Sequence, residues 1–224
     1  MSTVLETFKK DGFVIVPNVL SAKEIQYFRR VSEKYFNTQP SLLYDDGKCL
    51  PGFADVTNEL QDLNHFHKDE RILNVVQLLL GEKYIFAEHS DLHQNKLTGW
   101  HRDVLQGDYA KYQTLSVWGD KYQIVKVCFL LQDHVDNKFG LWFKRCSNKL
   151  NVNETNEIHA ATMAGDMVVF DQRILHRGQS SHYKNTYNED RYLITFGYGL
   201  DNEFTREHMS GTVARQTRQR QLLK

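Results

Sequence analysis

The amino-acid sequence predicts a mainly β domain, a sandwich or barrel, with helices on its N-terminal side and one helix at its C-terminal end. Two patterns lead to this fold class. Helix start and stop signals concentrate in the first 81 residues, whereas short runs of β-branched and aromatic residues, separated by turn residues, follow them. Strands at such spacing favour a sandwich or barrel over alternating strands and helices. The chain is 224 residues long, and we expect one domain that spans residues 1–224.

Composition argues against several classes of protein. Lys plus Arg number 28 and Asp plus Glu also number 28, so the zero net charge gives no general attraction to nucleic acid or membrane. The three cysteines are far apart and form no CxxC pair, which argues against a disulfide framework or a cysteine-bound zinc. The first residues lack the pattern of a signal peptide, and no apolar run is long enough to cross a bilayer. We therefore expect a cytoplasmic protein.

Capping signals predict three helices in the first part of the chain. Each begins at a residue whose side-chain oxygen can accept a hydrogen bond from the first helical turn, and two of these residues have a glutamate three positions later. Glycines end the first and third helices. The predicted helices run from Thr3 to Gly12, from Ser21 to about Phe36, and from Asp69 to Leu80.

The segments between and after these helices have different patterns. Phe13–Val16 is an apolar run that ends at Pro17 and predicts a buried strand. Residues 37–57 contain Pro, Gly and Asp pairs and predict a long loop, which in a compact domain is often a lid or a binding loop. The later predicted strands are Tyr84–Ala87, Thr114–Trp118, Tyr122–Leu131, Leu141–Phe143, Met167–Phe170 and Tyr192–Tyr198. Residues 203–224 are polar and arginine-rich, which favours a solvated surface helix.

Four His-x-Asp pairs occur in the chain, and this is the commonest sequence form of two ligands of a non-haem iron(II) site. On a strand, residues i and i+2 point to the same side, so the spacing directs an imidazole and a carboxylate toward one point. The first pair abuts a helix start, and the fourth lies in a polar loop. The third pair follows a predicted turn and is preferred, while the second, within a plausible strand, remains its rival. The pairs are, in order, His67/Asp69, His89/Asp91, His101/Asp103 and His134/Asp136.

A second histidine ligand is predicted beyond the strand at 167–170. The segment GDMVVFDQRILHRG has a turn, an apolar strand and a short link before His176. Arg191 begins the next strand and can lie near His176, where a guanidinium can bind a dicarboxylate in a bidentate manner. Each residue taken alone also fits an ordinary strand end or a surface charge.

Together these segments resemble the phytanoyl-CoA dioxygenase-like family of iron(II)- and 2-oxoglutarate-dependent oxygenases, over nearly the whole chain. The resemblance implies a double-stranded β-helix, or jelly roll. It implies an enzyme that uses Fe(II), O2 and 2-oxoglutarate as co-substrate and releases succinate and CO2. The segments that carry it, in the family's order, are DGFVIVPNVLSAKEI, LLLGEKYIF, WHRD, VKVCFLLQDHVDNKFGLWF, GDMVVFDQRILHRG and RYLITFGYG.

The resemblance also implies roles for individual residues. The implied iron ligands and catalytic residues are His101, Asp103 and His176. The implied 2-oxoglutarate contacts are Arg191 at the distal carboxylate, Gln94 through its amide, and Thr114 or Ser116 through a hydroxyl. Because the ligand at position 103 is a carboxylate, and not the small residue of related halogenases, we expect hydroxylation, or another oxidation of an unactivated C–H bond of a small molecule, and not chlorination.

Three departures from the family pattern concern this site. Gly178 stands where a serine is often found two residues after the distal histidine. Arg191 follows His176 by fifteen positions, more than usual, because of the insert SSHYKNTYNED, and Arg177 is a minor rival. Residues 144–148, KRCSN, replace a Pro-Gly-Ser-His stretch that borders the substrate, so the substrates of relatives do not transfer.

The substrate and two other classes of function stay open at this point. Basic residues near the predicted site give a hint of an anionic small molecule such as a carboxylate or phosphate; they are Arg102, Lys126, Lys144 and Arg145. For Lys126 the favoured expectation is the solvent face of its strand, away from the site. One alternative is a jelly roll without catalytic activity that binds a small molecule or sugar. Another is a cupin-type metal enzyme that does not use 2-oxoglutarate, in which His89 and His93 are the ligands.

Overall fold

Two antiparallel sheets pack against each other in the computed structural model, which describes residues 2–44, 47–55, 58–96, 98–135, 139–150, 156–179 and 188–223. The large sheet has the strand order β1-β9-β6-β11-β4-β3-β2, and the small sheet has the order β5-β10-β7-β8. This arrangement confirms the predicted jelly roll. The strands are β1 (Phe13–Val16), β2 (Leu42–Tyr44), β3 (Gly47–Pro51), β4 (Tyr84–Gln94), β5 (Thr98–His101), β6 (Ile124–Leu130), β7 (Gly140–Lys144), β8 (Glu157–His159), β9 (Met167–Asp171), β10 (His176–Gln179) and β11 (Tyr192–Leu200).

Helices cover the outer face of the large sheet and close one end of the interior. The α-helices are α1 (Ser2–Asp11), α2 (Ala22–Thr38), α3 (Glu70–Leu80), α4 (Gly107–Tyr112) and α5 (Glu203–Arg220), and 3-10 turns occur at Phe53–Asp55, Asn58–Lys68 and Asp103–Leu105. The predicted capping box of α2 is confirmed, because Ser21 Oγ accepts from the Glu24 N–H and the Glu24 carboxylate accepts from the Ser21 N–H. Among the described helices, none has the length and apolar character needed to cross a membrane.

The central strands have two different faces. Alternate residues of β6 and β11, such as Val127, Phe129 and Phe196, point outward and pack with Phe28 and Ile72 of the helices. Each such buried apolar side chain stabilises the fold by about 1.5–3 kcal/mol. The inner face joins the two sheets through a second apolar cluster, Phe13, Cys128, Leu130, Leu141, Phe143, Ala160, Val168, Phe170 and Ile174. The same alternation leaves Lys126 on the inner face of β6.

One predicted strand and one predicted loop were wrong. Residues 114–118 form no strand but a bend and turn, in which the Gly119 N–H donates to Ser116 O. Conversely, β2 and β3 lie within the segment predicted to be a loop, and β3 extends the large sheet by pairing with β4. Leu50 is fully buried in this added strand, so tertiary burial overrides the loop-like composition. Positions 45, 46, 56 and 57 of the predicted lid lie outside the described residues.

The prediction of a solvated C-terminal helix was also wrong. Helix α5 packs against β4 and α4, and it buries several polar side chains, among them Thr205, His208, Thr212 and Gln216. Its partners are polar too: Gln216 Nε2, for example, donates to Glu88 O over 2.9 Å. A helix that buries polar side chains against polar partners has no apolar stripe, so its sequence looks like that of a surface helix.

Candidate active site

Strand pairing brings two of the predicted metal ligands together. Strand β10 runs antiparallel to β5, with His176 opposite His101, and the two ring centroids are 4.3 Å apart. Asp103 begins the 3-10 turn that follows β5. Ligand atoms of His101, Asp103 and His176 all lie within 4.8 Å of one another.

Both imidazoles are oriented for metal binding. His101 Nδ1 lies 2.8 Å from Gly99 O, and His176 Nδ1 lies 3.0 Å from Ile174 O. A carbonyl oxygen can only accept, so each Nδ1 carries the proton and each Nε2 keeps a free lone pair. The Nε2 atoms lie 3.5 Å (His101) and 3.8 Å (His176) from Asp103 oxygens. Two imidazoles with backbone-fixed tautomers and one carboxylate fit a divalent non-haem metal.

The electrostatic environment keeps His176 neutral and Asp103 ionised, and these are the forms that bind a metal. Burial lowers the pKa of His176 to about 3, so the imidazole is neutral near pH 7. Burial alone would raise the pKa of Asp103, but the Lys126 ammonium, 2.8 Å from Asp103 Oδ2, holds that pKa well below its usual value. Burial would in turn lower the pKa of Lys126, but Asp103 raises it above its usual value. Asp103 is therefore an anion and Lys126 a cation.

The rival pair His89/Asp91 lies on β4 and faces the same interior. Cys49, Asp91 and His93 also have ligand atoms within 4.8 Å of one another. The Asp91 carboxylate, however, is held by Arg215 of α5, with Nη1–Oδ2 and Nη2–Oδ1 distances of 3.0 and 3.1 Å. Burial raises the pKa of the Cys49 thiol to about 12, which keeps it protonated. Arg215 therefore occupies both oxygens of Asp91, which disfavours a cation there, whereas Lys126 contacts only Oδ2 of Asp103 and leaves its Oδ1 available to a metal.

The predicted 2-oxoglutarate contacts divide into one that lies near the triad and three that do not. Arg191 is buried beside β10, since a Cβ built on Gly178 would be 3.9 Å from Arg191 Nη2. Gln94 lies on the face of β4 opposite to His93, and its amide donates to Asp190 Oδ2 and the Tyr192 hydroxyl.

The two hydroxyl candidates lie outside the cavity. The Thr114 hydroxyl donates to Glu207 of α5, which keeps this side chain on the surface. Ser116 is exposed in the turn after it. Their placement does not support the expected hydroxyl contact, because the segment that carries them is a surface bend and not an inner strand.

Thr98 is a residue that the sequence did not single out. It pairs with Gly178 across β5 and β10, and its Oγ1 accepts from the Gly178 N–H over 3.0 Å. A Cβ on Gly178 would be 3.3 Å from this oxygen, so the Thr98 hydroxyl stands close to where a serine side chain at position 178 would begin. Only the register of β5 against β10 brings Thr98 next to Gly178. In the sequence, the absence of a serine at position 178 was the one sign that another residue supplies the hydroxyl.

His101 and Asp103 of the triad line a cavity of about 560 Å³. Its wall is formed by β4, β5, β6, α4 and α5, and includes Thr98, His101, Asp103, Tyr109, Lys126 and Gln219. Two ion pairs lie in the same wall, Asp91 with Arg215 and Asp108 with Arg218. The cavity is polar and has room for a small molecule.

A buried histidine next to this cavity predicts acid sensitivity. His208 of α5 stacks on Tyr109, and burial lowers its pKa to about 3. Because the unfolded-state pKa is about 6.5, stability is full above pH 6.5 and is lost as the pH falls toward 3. At pH 5 the imidazole of His208 is protonated in the unfolded state but not in the folded state, which should lower the unfolding free energy by about 2 kcal/mol. In His208→Phe, urea denaturation at pH 7.5 and pH 5 should show a pH dependence smaller by that amount.

The control is the exposed His65, whose replacement by Gln should leave the pH dependence of unfolding as in the wild type. An unchanged pH dependence in His208→Phe would contradict the assignment of a neutral buried imidazole.

A jelly roll that presents two histidines and one carboxylate at the mouth of a cavity defines the class of non-haem metal-dependent oxygenases. The chain belongs to the phytanoyl-CoA dioxygenase (PhyH) family, whose profile matches residues 8–182. This family comprises iron- and 2-oxoglutarate-dependent enzymes, and the match confirms the resemblance seen in the sequence.

Solved structures share this fold at low sequence identity. The non-haem α-ketoglutarate-dependent epimerase SnoN from nogalamycin biosynthesis is 17% identical, with a TM-score of 0.70 over 88% of this chain and 81% of that chain. HygX from Streptomyces hygroscopicus, solved with nickel, 2-oxoglutarate and hygromycin B bound, is 16% identical, with a TM-score of 0.66 over 90% and 88%. The carbocyclase SnoK, also from nogalamycin biosynthesis, is 16% identical, with a TM-score of 0.65 over 88% and 83%. No curated protein sequence matches this chain.

Proposed function

We propose that residues 1–224 form one Fe(II)- and 2-oxoglutarate-dependent dioxygenase domain that hydroxylates an unactivated C–H bond of a small molecule. The observation that carries the proposal is the triad of His101, Asp103 and His176, whose ligand atoms lie within 4.8 Å of one another at the edge of the cavity. The similar structure of HygX, which holds 2-oxoglutarate and hygromycin B, supports a small-molecule substrate. Because related enzymes include an epimerase and a carbocyclase, hydroxylation is the part of the proposal that needs its own test.

Each ligand residue has a defined task in this proposal. His101 and His176 would give neutral nitrogen donors, and Asp103 would give the anionic donor. Bound iron(II), with 2-oxoglutarate and O2, would supply the oxidising chemistry. Phe170, whose ring centroid is 4.6 Å from that of His176, shields one side of the triad from water. The opposite side faces the cavity and is free for the substrate.

Arg191 and Thr98 would hold the co-substrate. The guanidinium of Arg191 can bind the distal carboxylate of 2-oxoglutarate in a bidentate manner. The hydroxyl of Thr98, on the neighbouring strand, can replace the hydroxyl of the serine that this chain lacks at position 178. Both side chains lie beside Gly178, two residues from His176, and this proximity supports the proposed roles of Arg191 and Thr98.

The test is the visible spectrum of the anaerobic protein with Fe(II) and 2-oxoglutarate. We expect a weak metal-to-ligand charge-transfer band in the green. Arg191→Met should raise the Kd of 2-oxoglutarate at least about 10-fold, since a hydrogen bond to a charged group contributes about 1.5–3 kcal/mol. Arg177→Met is the matched control, because Arg177 stacks on Trp100 and Trp142 on the other face of β10.

Two results would contradict the proposal. Absence of the band, together with absence of binding by calorimetry, would favour the alternative of a jelly roll that only binds a small molecule. A chlorinated product from the wild-type protein would contradict hydroxylation but keep the cofactors. Succinate release coupled to a product that gains one oxygen atom would support it.

A further inference from the structure

We propose that Lys126 is an anion-binding residue of the loaded site, and that the substrate presents a carboxylate or phosphate to it beside the metal ligands. The proposal rests on the proposed function and adds a substrate class to it. It is carried by the position of one buried ammonium and by the charges around it.

Lys126 lies where a lysine is costly. Strand β6 is central in the large sheet, and all seven of its residues are buried. The Lys126 side chain is 11% exposed, and its Nζ lies 6.0 Å from the ring centroid of Phe170. A lysine is almost never buried in such a place without a partner. Its partner in this structure is the metal ligand Asp103, with Nζ 2.8 Å from Oδ2.

Four other charges of the cavity wall are matched in pairs, and the Lys96 ammonium lies over the ring of Tyr44. Asp91 is paired with Arg215, and Asp108 is paired with Arg218. Within the described ranges, Lys126 has no ion pair with a carboxylate other than Asp103. The counter-charge of Lys126 is therefore the same carboxylate that a metal ion would use.

Binding of the metal ion and 2-oxoglutarate would change the balance of charge around Asp103. A divalent ion and Lys126 bring three positive charges to the space around Asp103. Asp103 and the metal-chelating end of 2-oxoglutarate supply two negative charges, and the distal carboxylate is matched by Arg191. One positive charge remains in a buried space, which is unfavourable unless an anion joins it. An anionic group on the substrate would restore neutrality and would hold the substrate next to the metal.

The surroundings of Lys126 suit such a group. Tyr109 lines the same cavity, and its hydroxyl lies 3.0 Å from His89 Nδ1. The ammonium can donate to a carboxylate or phosphate, and the Tyr109 hydroxyl can do so in the tautomer in which His89 Nδ1–H donates to the phenol oxygen. The bound anion would therefore lie between β6 and α4, on the cavity side of Asp103.

The experiment compares paired probes on the anaerobic complex of protein, Fe(II) and 2-oxoglutarate. The probes are benzoate against benzamide and phenyl phosphate against phenol, and the readout is the shift of the charge-transfer band during titration. We expect the anionic member of each pair to bind at least about 10-fold more tightly than the neutral member. Lys126→Met should remove most of this preference, whereas Lys126→Arg should keep it. Lys121→Met, which removes an exposed lysine, is the matched control.

Calorimetry of 2-oxoglutarate binding to the Ni(II)-loaded variants shows whether Lys126 binds an anionic group of the substrate or a carboxylate of 2-oxoglutarate. Unchanged 2-oxoglutarate affinity in Lys126→Met, with loss of anion preference, supports the proposal. A 10-fold loss of 2-oxoglutarate affinity would instead assign Lys126 to the co-substrate and overturn it. Equal binding of acid and amide by the wild type overturns it without any variant. A wild type that shows no band at all would remove the proposed function, and this inference with it.

Discussion

Replacement of Asp103 by alanine is expected to abolish Fe(II) binding and all oxidation that depends on 2-oxoglutarate. Loss of a residue that only supports a metal ligand typically costs 10–100-fold in metal affinity, and loss of the ligand itself should exceed about 100-fold. The measurements are calorimetric Fe(II) affinity without oxygen and the rate of succinate formation. Asp103 is the only anion of the triad, so no neighbouring side chain can replace its charge.

The alanine variant has a second effect, which a control must separate. It leaves the Lys126 ammonium without its counter-ion, and breaking a buried ion pair costs about 3–5 kcal/mol of stability. Asp103→Asn keeps an oxygen that can accept from Lys126, so it should lose iron with less loss of stability. His89→Ala and His101→Ala complete the set, and we expect only the second to lose iron. Loss of iron in His89→Ala alone would favour the cupin-type interpretation.

Replacement of Arg215 by methionine should cause a large loss of stability. Arg215 and Asp91 have side chains that are 14% and 6% exposed, so the variant leaves a buried carboxylate without a partner. We expect a loss of about 3–5 kcal/mol in unfolding free energy. For a chain of this size that lowers the Tm by roughly 10 °C. Urea denaturation and calorimetric melting measure both quantities.

Two variants test whether the burial of Arg215 and Asp91 causes the loss of stability. In Arg218→Met, the broken pair with Asp108 involves an arginine side chain that is 59% exposed, so the loss should stay below about 1 kcal/mol. The double variant Asp91→Leu/Arg215→Met removes both charges and should recover much of the stability lost in the single variant. Equal destabilisation by Arg215→Met and Arg218→Met would contradict the buried pair.

Local signals in the sequence predicted the parts of the fold that depend on local chemistry. Ser21 and Asp69 cap their helices through bonds to backbone groups two or three residues away, so their sequence context is sufficient. The strand at residues 114–118 was wrong because β-branched composition does not reveal whether a partner strand is present. Leu50 and its neighbours form a strand only because β4 lies beside them.

The residues of the candidate site also divide into those that the sequence predicts and those that depend on strand register. The ordered motifs pointed to His101, Asp103 and His176, and the structure brings these three together. The contacts proposed for Gln94, Thr114 and Ser116 were not supported, because the direction of a side chain depends on strand register and on loops. The register that places Thr98 beside Gly178 joins segments 80 residues apart, and no local pattern encodes it.

Helix α5 has a consequence for how selectivity can change in this protein. It supplies Arg215, Arg218 and Gln219 to the cavity wall, yet it lies beyond residue 182, where the family match ends. The proposed metal ligands and the helix that lines the cavity therefore belong to separate stretches of the chain. We expect that residues on the cavity side of α5 can vary without loss of Fe(II) affinity, provided that Arg215 still holds Asp91. A library confined to positions 218 and 219 should then change the substrate preference while the proposed iron ligands stay the same.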